Sequence, residues 1–235
     1  MSIEGWLTDA QAARLSARAS GLRVAGAVVE IGSFRGRSTV VLARAAGSVV
    51  AIDPHGGGDR GPQEIAPDAA VGNADFAAFH ANLAAAGVAD RVEHVRRASS
   101  AAHALVGGPI SLLYVDGAHR FRPALADLRG WGGRVAPGGV MLVHDAFSSV
   151  GVTLALFAAC AGSASWRYAG RTGSLAEYER RVGRASLATR VADLFRQLAE
   201  LPWFARNLAI KALVLAGRRG WAERLGLDPS APWPY

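Results

Sequence analysis

The sequence predicts an α/β chain: a doubly wound, mostly parallel sheet closed by an antiparallel hairpin, with a helical C-terminal extension. Three observations predict it. Short apolar runs alternate with helical patterns of roughly 8–15 residues, the rhythm of βαβ units. The first apolar run breaks at Gly32 and Gly36 into an Ala/Leu-rich stretch, giving a strand, a tight turn and a helix N-terminus. Near the end, Gly170-Arg171-Thr172-Gly173 separates two short β-rich runs, as a hairpin turn does.

Taken in order, residues 8–20 read as an opening helix with Thr8 or Asp9 as N-cap. A strand at 24–31 leads to a helix at 36–46, and a second strand spans 48–53. The polar, glycine-rich stretch from Pro54 to about Asn73 reads as a long loop, a candidate lid. A helix at 74–86, a strand at 92–95 and a helix at 99–106 follow. Next come a strand at 110–116, a helix at 119–131, a Pro137-Gly138-Gly139 turn and a strand at 140–144. A helix at 150–160 precedes the hairpin, with arms at 165–168 and 174–178. From Ala185 the pattern is helical, interrupted by Pro202. The expected organisation is a main domain over residues 1–180 and a basic helical extension over 181–235.

Composition narrows the class. With 235 residues, half of them apolar, the chain can bury one good core. The one cysteine, Cys160, excludes an internal disulfide framework and reads as a small buried hydrophobe. The N-terminus has no basic and apolar leader pattern, and no apolar stretch is long enough to span a bilayer, so a cytoplasmic location is expected. The net charge of +7 is uneven: residues 180–235 hold ten basic residues against four acids, a balance of +6. No aromatic-basic repeat accompanies them, which argues against a nucleic-acid partner. Leu194, Leu198, Leu201, Ala205, Leu208, Ala212 and Leu215 recur at helical spacing and are expected to form the packing face of the tail. That face would rest on the body or on a second subunit of a homodimer. Peripheral membrane contact and an acceptor-gripping lid are alternative uses.

The chemistry-bearing residues fall at strand ends, where open α/β sheets bind ligands. Glu30 and Gly32 end the first strand, Asp53 the second, Asp116 the fourth, and His144-Asp145 the fifth. Gly32 and Gly36 do not make the dinucleotide pattern G-x-G-x-x-G, and an acid at the turn repels pyrophosphate while suiting a cation. Glu30 and the backbone at Gly32 and Ser33 suit an ammonium-bearing ligand, and Asp53 is placed to accept from ribose hydroxyls. Ser99, after the third strand, reads as an adenine contact or as a helix N-cap. Asp116 and Asp145 can converge on one spot, as a hard-cation site requires. His119, three residues after Asp116, and His144 are candidate proton acceptors.

The order Glu30-Ile-Gly-Ser-x-x-Gly-x-Ser38, Asp53, Asp116-Gly-x-His119, Trp131, Pro137-Gly-Gly and His144-Asp145 resembles class I S-adenosylmethionine (SAM) methyltransferases, within them relatives of the macrolide-sugar O-methyltransferases. The resemblance covers residues 26–147. It implies a Rossmann-like fold, SAM as cofactor and transfer of a methyl group to a hydroxyl of a sugar, oligosaccharide or glycosylated natural product. It adds Ser38 and Asp116 to the cofactor-binding set, and it implies Mg²⁺ on Asp116 and Asp145 with His119 as general base. The chain departs from that pattern at His144, where nitrogen replaces an acid and suits Mg²⁺ poorly. Two rivals make different demands. An NAD(P)-dependent sugar oxidoreductase needs a Tyr-x-x-x-Lys pair, which the sole lysine, Lys211, does not supply. A non-catalytic membrane-docking module would not bring acids together at the fourth and fifth strands.

Overall fold

The computed structural model describes residues 3–58 and 66–229. Its strands are β1 (Ala27–Ile31), β2 (Val49–Ile52), β3 (Val92–Val95), β4 (Ile110–Val115), β5 (Val135–Val143), β6 (Trp166–Thr172) and β7 (Leu175–Arg180). They form one sheet in the order β3-β2-β1-β4-β5-β7-β6. The first five run parallel, and β7 is antiparallel to both β5 and β6. The predicted fold class is the observed one.

Register positions the site. Ile31 pairs with both Ile52 and Val115, and Val115 pairs with Val143, so these four residues make one row across the sheet. The next residue on each strand therefore leaves the same edge: Gly32, Asp53, Asp116 and His144. The strands are nearly all apolar because helices cover both sheet faces. One face packs Leu15, Leu42, Phe79 and Tyr114 under α1 (Asp9–Ser20), α2 (Arg37–Ala46) and α3 (Ala69–Ala85). The other packs Leu113, Trp131, Met141 and Leu156 under α4 (Ser99–Ala102), α5 (Phe121–Gly130) and α6 (Val150–Cys160).

Three expectations are corrected. The loop expected to run to Asn73 ends earlier, because Asp68 caps α3 by accepting from the N–H groups of Ala70 and Val71. Gly72 in α3 lies so close to the loop that a Cβ there would sit 2.0 Å from the His55 carbonyl. The loop's base, Pro54–Gly58, is thus held on α3, and residues 59–65 of the expected lid lie outside the described residues. Second, Pro137-Gly138-Gly139 belongs to β5 itself. Ile110 pairs with Val135 and Leu112 with Val140, so the glycines absorb the extra length as a bulge.

The third correction concerns the tail, which forms α7 (Leu187–Leu198), α8 (Leu201–Leu215) and α9 (Arg219–Arg224). Pro202 sits in the first turn of α8, where its missing N–H costs nothing. The leucine stripe is not the packing face: Leu198, Leu201 and Leu215 are exposed. The buried positions are Asp193, Gln197, Asn207 and Ile210, with Trp203 and Phe204 partly buried against the main core. Buried polar partners chose the face. Asp193 pairs with Arg181, Gln197 accepts from the Tyr178 hydroxyl, and Asn207 reaches the Phe147 carbonyl. Among the described residues, no helix is long and apolar enough to cross a membrane.

Candidate active site

A cleft of about 1470 Å³ opens above the row of strand ends. It exceeds the roughly 300–1,000 Å³ of a pocket for one small molecule. One end is built around the turn after β1. Gly32 has φ +83, and a Cβ there would lie 2.1 Å from the Asp116 carbonyl oxygen, so only glycine allows β1 and β4 to close at this point. Asp53 Oδ2 accepts from the backbone N–H groups of Ser33 (2.9 Å) and Phe34 (2.8 Å), and Oδ1 accepts from His55 (2.7 Å). The strand-2 acid therefore holds the turn in shape while lining the cleft. The buried Ser33 Oγ has no hydrogen-bond partner.

Glu30 and Ser38 are not where the sequence reading puts them. Glu30 is fully buried and absent from the cleft wall. Its carboxyl accepts from Ser38 Oγ and Thr39 Oγ1, both at 2.5 Å, tying β1 to the first turn of α2. Burial pushes its pKa up to about 8 against the pull of those two hydroxyls. Ser99 does line the cleft, but it is no N-cap, since that position is Ala98. Its hydroxyl donates to Asp127 Oδ1 at 2.5 Å. Asp127 is a cleft-lining carboxyl that burial raises to about 6, and no spacing signal marks it in the sequence.

At the other end, Asp116, His119, His144 and Asp145 meet, as their strand-end positions predict. His119 Nε2 lies 2.9 Å from Asp145 Oδ2. His144 Nδ1 lies 3.2 Å from Asp145 Oδ2 and 3.3 Å from Asp116 Oδ1, and the Tyr114 hydroxyl donates to Asp116 Oδ2. Asp145 takes a left-handed φ of 56°, which turns it back toward the cluster. Burial opposes charge on both histidines, yet the two carboxylates outweigh it. His119 is raised, chiefly through its bond to Asp145, and His144 is raised well above the ordinary histidine value. Burial likewise opposes charge on Asp145, and the two imidazoles hold it well below the usual carboxylate range.

Several contributors went unread in the sequence. Gln11 completes the capping box of α1, its Oε1 accepting from the Thr8 N–H at 2.9 Å. The same Oε1 lies 3.3 Å from His144 Nε2. Because Thr8 can only donate there, Oε1 is an acceptor and His144 Nε2 carries the hydrogen. That leaves Nδ1 facing the carboxylates. Capping boxes are visible in sequence, but the reach of Gln11 under a strand 133 positions away is not. His55 also lines the cleft, its Nε2 2.8 Å from the Phe34 carbonyl oxygen. Lys211 and Leu215 of α8 complete the wall.

A methyltransferase domain family matches residues 29–146, half of the chain and all four strand ends. Solved structures with the same fold include cofactor-bound Rv0187 from MTB, at 22% identity and a TM-score of 0.56, covering 77% of this chain and 85% of that one. The O-methyltransferase TomG from Streptomyces achromogenes aligns at 22% identity and a TM-score of 0.55, covering 75% and 82%. The O-methyltransferase NovP aligns at 17% identity and 0.54, covering 73% and 80%. The chain belongs to the methyltransferase domain family. Its sheet order and strand-end site make it a class I SAM-dependent methyltransferase.

Proposed function

We propose that the protein transfers a methyl group from SAM to a hydroxyl oxygen of a sugar, an oligosaccharide or a glycosylated natural product. The observation that carries this reading is His119 held at 2.9 Å from Asp145 on the cleft wall, at the mouth of β4 and β5. Two of the similar structures are O-methyltransferases, and TomG, in complex with SAM, is involved in tomaymycin synthesis. The sugar class rests on the motif resemblance to the macrolide-sugar enzymes.

The residues present suit SAM. The Gly32–Phe34 turn receives the methionine end through Gly32 and Phe34, which line the cleft, whereas the buried Ser33 side chain, expected from the sequence to meet the ligand, is not on its wall. Asp53 keeps lone pairs for ribose hydroxyls beyond its three backbone bonds. Ala98, Ser99 and Asp127 bound the adenine end. When bound, SAM supplies the methyl electrophile, its S–CH₃ bond breaking as the O–CH₃ bond forms. His119 takes the hydroxyl proton, and Asp145 stabilises the resulting imidazolium. Placing the hydroxyl in line with the methyl carbon supplies much of the remaining rate.

Asp116, His144 and Asp145 offer two oxygens and one nitrogen within 4.8 Å of one another. With Nε2–H directed at Gln11, Nδ1 faces the carboxylates, and an ion held there would replace the Nδ1 proton that those carboxylates otherwise favour. This donor set suits Mn²⁺ or Zn²⁺ better than Mg²⁺, and such an ion would add positive charge beside the acceptor oxygen. Calorimetry with SAM and with NADH tests the reading. SAM binding without NADH binding is expected, and a folded protein that fails to bind SAM overturns it.

A further inference from the structure

The C-terminal extension places the chain's sole lysine in the cleft. Lys211, on α8, donates from Nζ to the Ser148 carbonyl at 2.7 Å, three residues beyond Asp145. One helical turn earlier, the fully buried Asn207 donates to the Phe147 carbonyl at 3.1 Å. These two bonds, with Trp203 and Phe204 packed on the core, dock α8 on the loop that carries Asp145. Lys211 and Leu215 then form part of the cleft wall, the Lys211 ammonium being anchored three residues beyond Asp145.

The charge balance there is one-sided. Each carboxylate at the acceptor end already has partners: Asp116 has Tyr114 and His144, and Asp145 has His119 and His144. Asp127 is bonded to Ser99. Among the described residues, no carboxylate forms an ion pair with Lys211 or with Arg122, which also lines the cleft. The Asp145 charge pulls the Lys211 pKa up, but burial outweighs it and lowers it. At this end a half-buried ammonium, anchored on the Ser148 carbonyl, is left without a carboxylate partner among the described residues. Guanidinium and ammonium groups in partly dry sites bind oxyanions through charge-assisted hydrogen bonds.

We infer that Lys211 forms an oxyanion subsite, so that the acceptor is an acidic sugar derivative bearing a carboxylate or a phosphate beside the methylated hydroxyl. This rests on the methyltransferase reading above and names its substrate class. Lys211 is here a specificity residue: it holds the acceptor's anionic group and leaves the proton to His119.

The test uses the full chain saturated with S-adenosylhomocysteine, whose own binding is measured first. Three matched probes follow by calorimetry: 4-nitrophenyl β-glucoside, the corresponding glucuronide and the glucoside 6-phosphate. At least one anionic probe should bind about ten-fold or more tightly than the neutral glucoside, the scale of one charged hydrogen bond. The preferred anion tells carboxylate from phosphate. Lys211→Met should bring that preference close to one, and Lys211→Arg should keep most of it, with thermal melts and S-adenosylhomocysteine affinity confirming the fold. In turnover, Lys211→Met should raise KM for the anionic probe while leaving the pH profile of kcat in place. Intact cofactor binding without anion preference, or a preference that survives Lys211→Met, overturns the subsite alone. Absent cofactor binding overturns it together with the methyltransferase reading.

Discussion

The two ends of the cleft are built by different means. At the end proposed for the cofactor, the polar groups are committed to backbone or to local hydroxyls. Asp53 holds three main-chain N–H groups, and Glu30 is sealed by Ser38 and Thr39. That end is preorganised before any ligand arrives, because its shape is set by main chain and glycine. At the acceptor end, side chains from four separate elements face one another: Gln11 from α1, Asp116 and His119 after β4, His144 and Asp145 after β5, and Lys211 from α8. Its charges balance only jointly, so one change there redistributes the protons of several groups. A backbone-built end fixes a cofactor common to many enzymes, whereas a side-chain-built end is free to vary with the acceptor.

Four experiments probe this contrast, beginning with the largest expected effect. Chelation with EDTA should abolish turnover, with Mn²⁺ or Zn²⁺ restoring more activity than Mg²⁺, while S-adenosylhomocysteine affinity stays unchanged. Undiminished turnover in a metal-free sample would leave Asp116 and Asp145 as supports for the two histidines alone.

His119→Ala should cost about 10²–10⁴ in kcat, again without loss of cofactor affinity. Because His119 is raised and must be neutral to act, the acid limb of the wild-type profile should lie above the ordinary histidine pKa of 6.5. Single-turnover rates against pH measure both effects. An unchanged rate in the alanine variant would remove this residue as the base.

Asp53→Ala should act at the opposite end, weakening SAM by roughly 1–3 kcal/mol through lost ribose contacts and a loosened turn. Calorimetry on the folded variant decides it, and wild-type affinity would exclude Asp53 from cofactor binding. Glu30→Gln should give the smallest effect, on stability. The carboxyl is raised from 4.5 to about 8 in the folded chain, so the folded state keeps a proton that the unfolded state releases between those values. Stability from this group is therefore full below about 4.5 and falls as pH rises toward 8. Denaturant melts across that window should show a flatter pH dependence for Glu30→Gln. An unaltered slope would mean that Glu30 ionises in the folded protein as it does in water.

Much of the cofactor end was legible because its signals are local. Gly32 and Gly36 mark a turn that other residues cannot make, and Asp53 follows an apolar run at a strand end. Glu30 was legible as a strand-end acid but not in its role. Strand alternation decided that it points into α2 and not into the cleft, one residue's shift in the pleat being enough to change faces.

The sequence by itself determined the order of strands and helices, the coincidence of Gly32, Asp53, Asp116 and His144 at one edge, and the helical nature of the tail. Those follow from periodicity and turn chemistry, which act over a few residues. Tertiary structure alone decided which face of α7 and α8 packs, that Gln11 accepts from His144 Nε2, and that Lys211 enters the cleft. The leucine stripe was a sound local reading, yet Asp193, Gln197 and Asn207 found buried partners on the body and turned the helices the other way. A buried polar group left unpaired costs more than an exposed leucine. Partners separated by 60 or more positions, such as Asn207 with Phe147 or His144 with Gln11, leave no trace in local pattern.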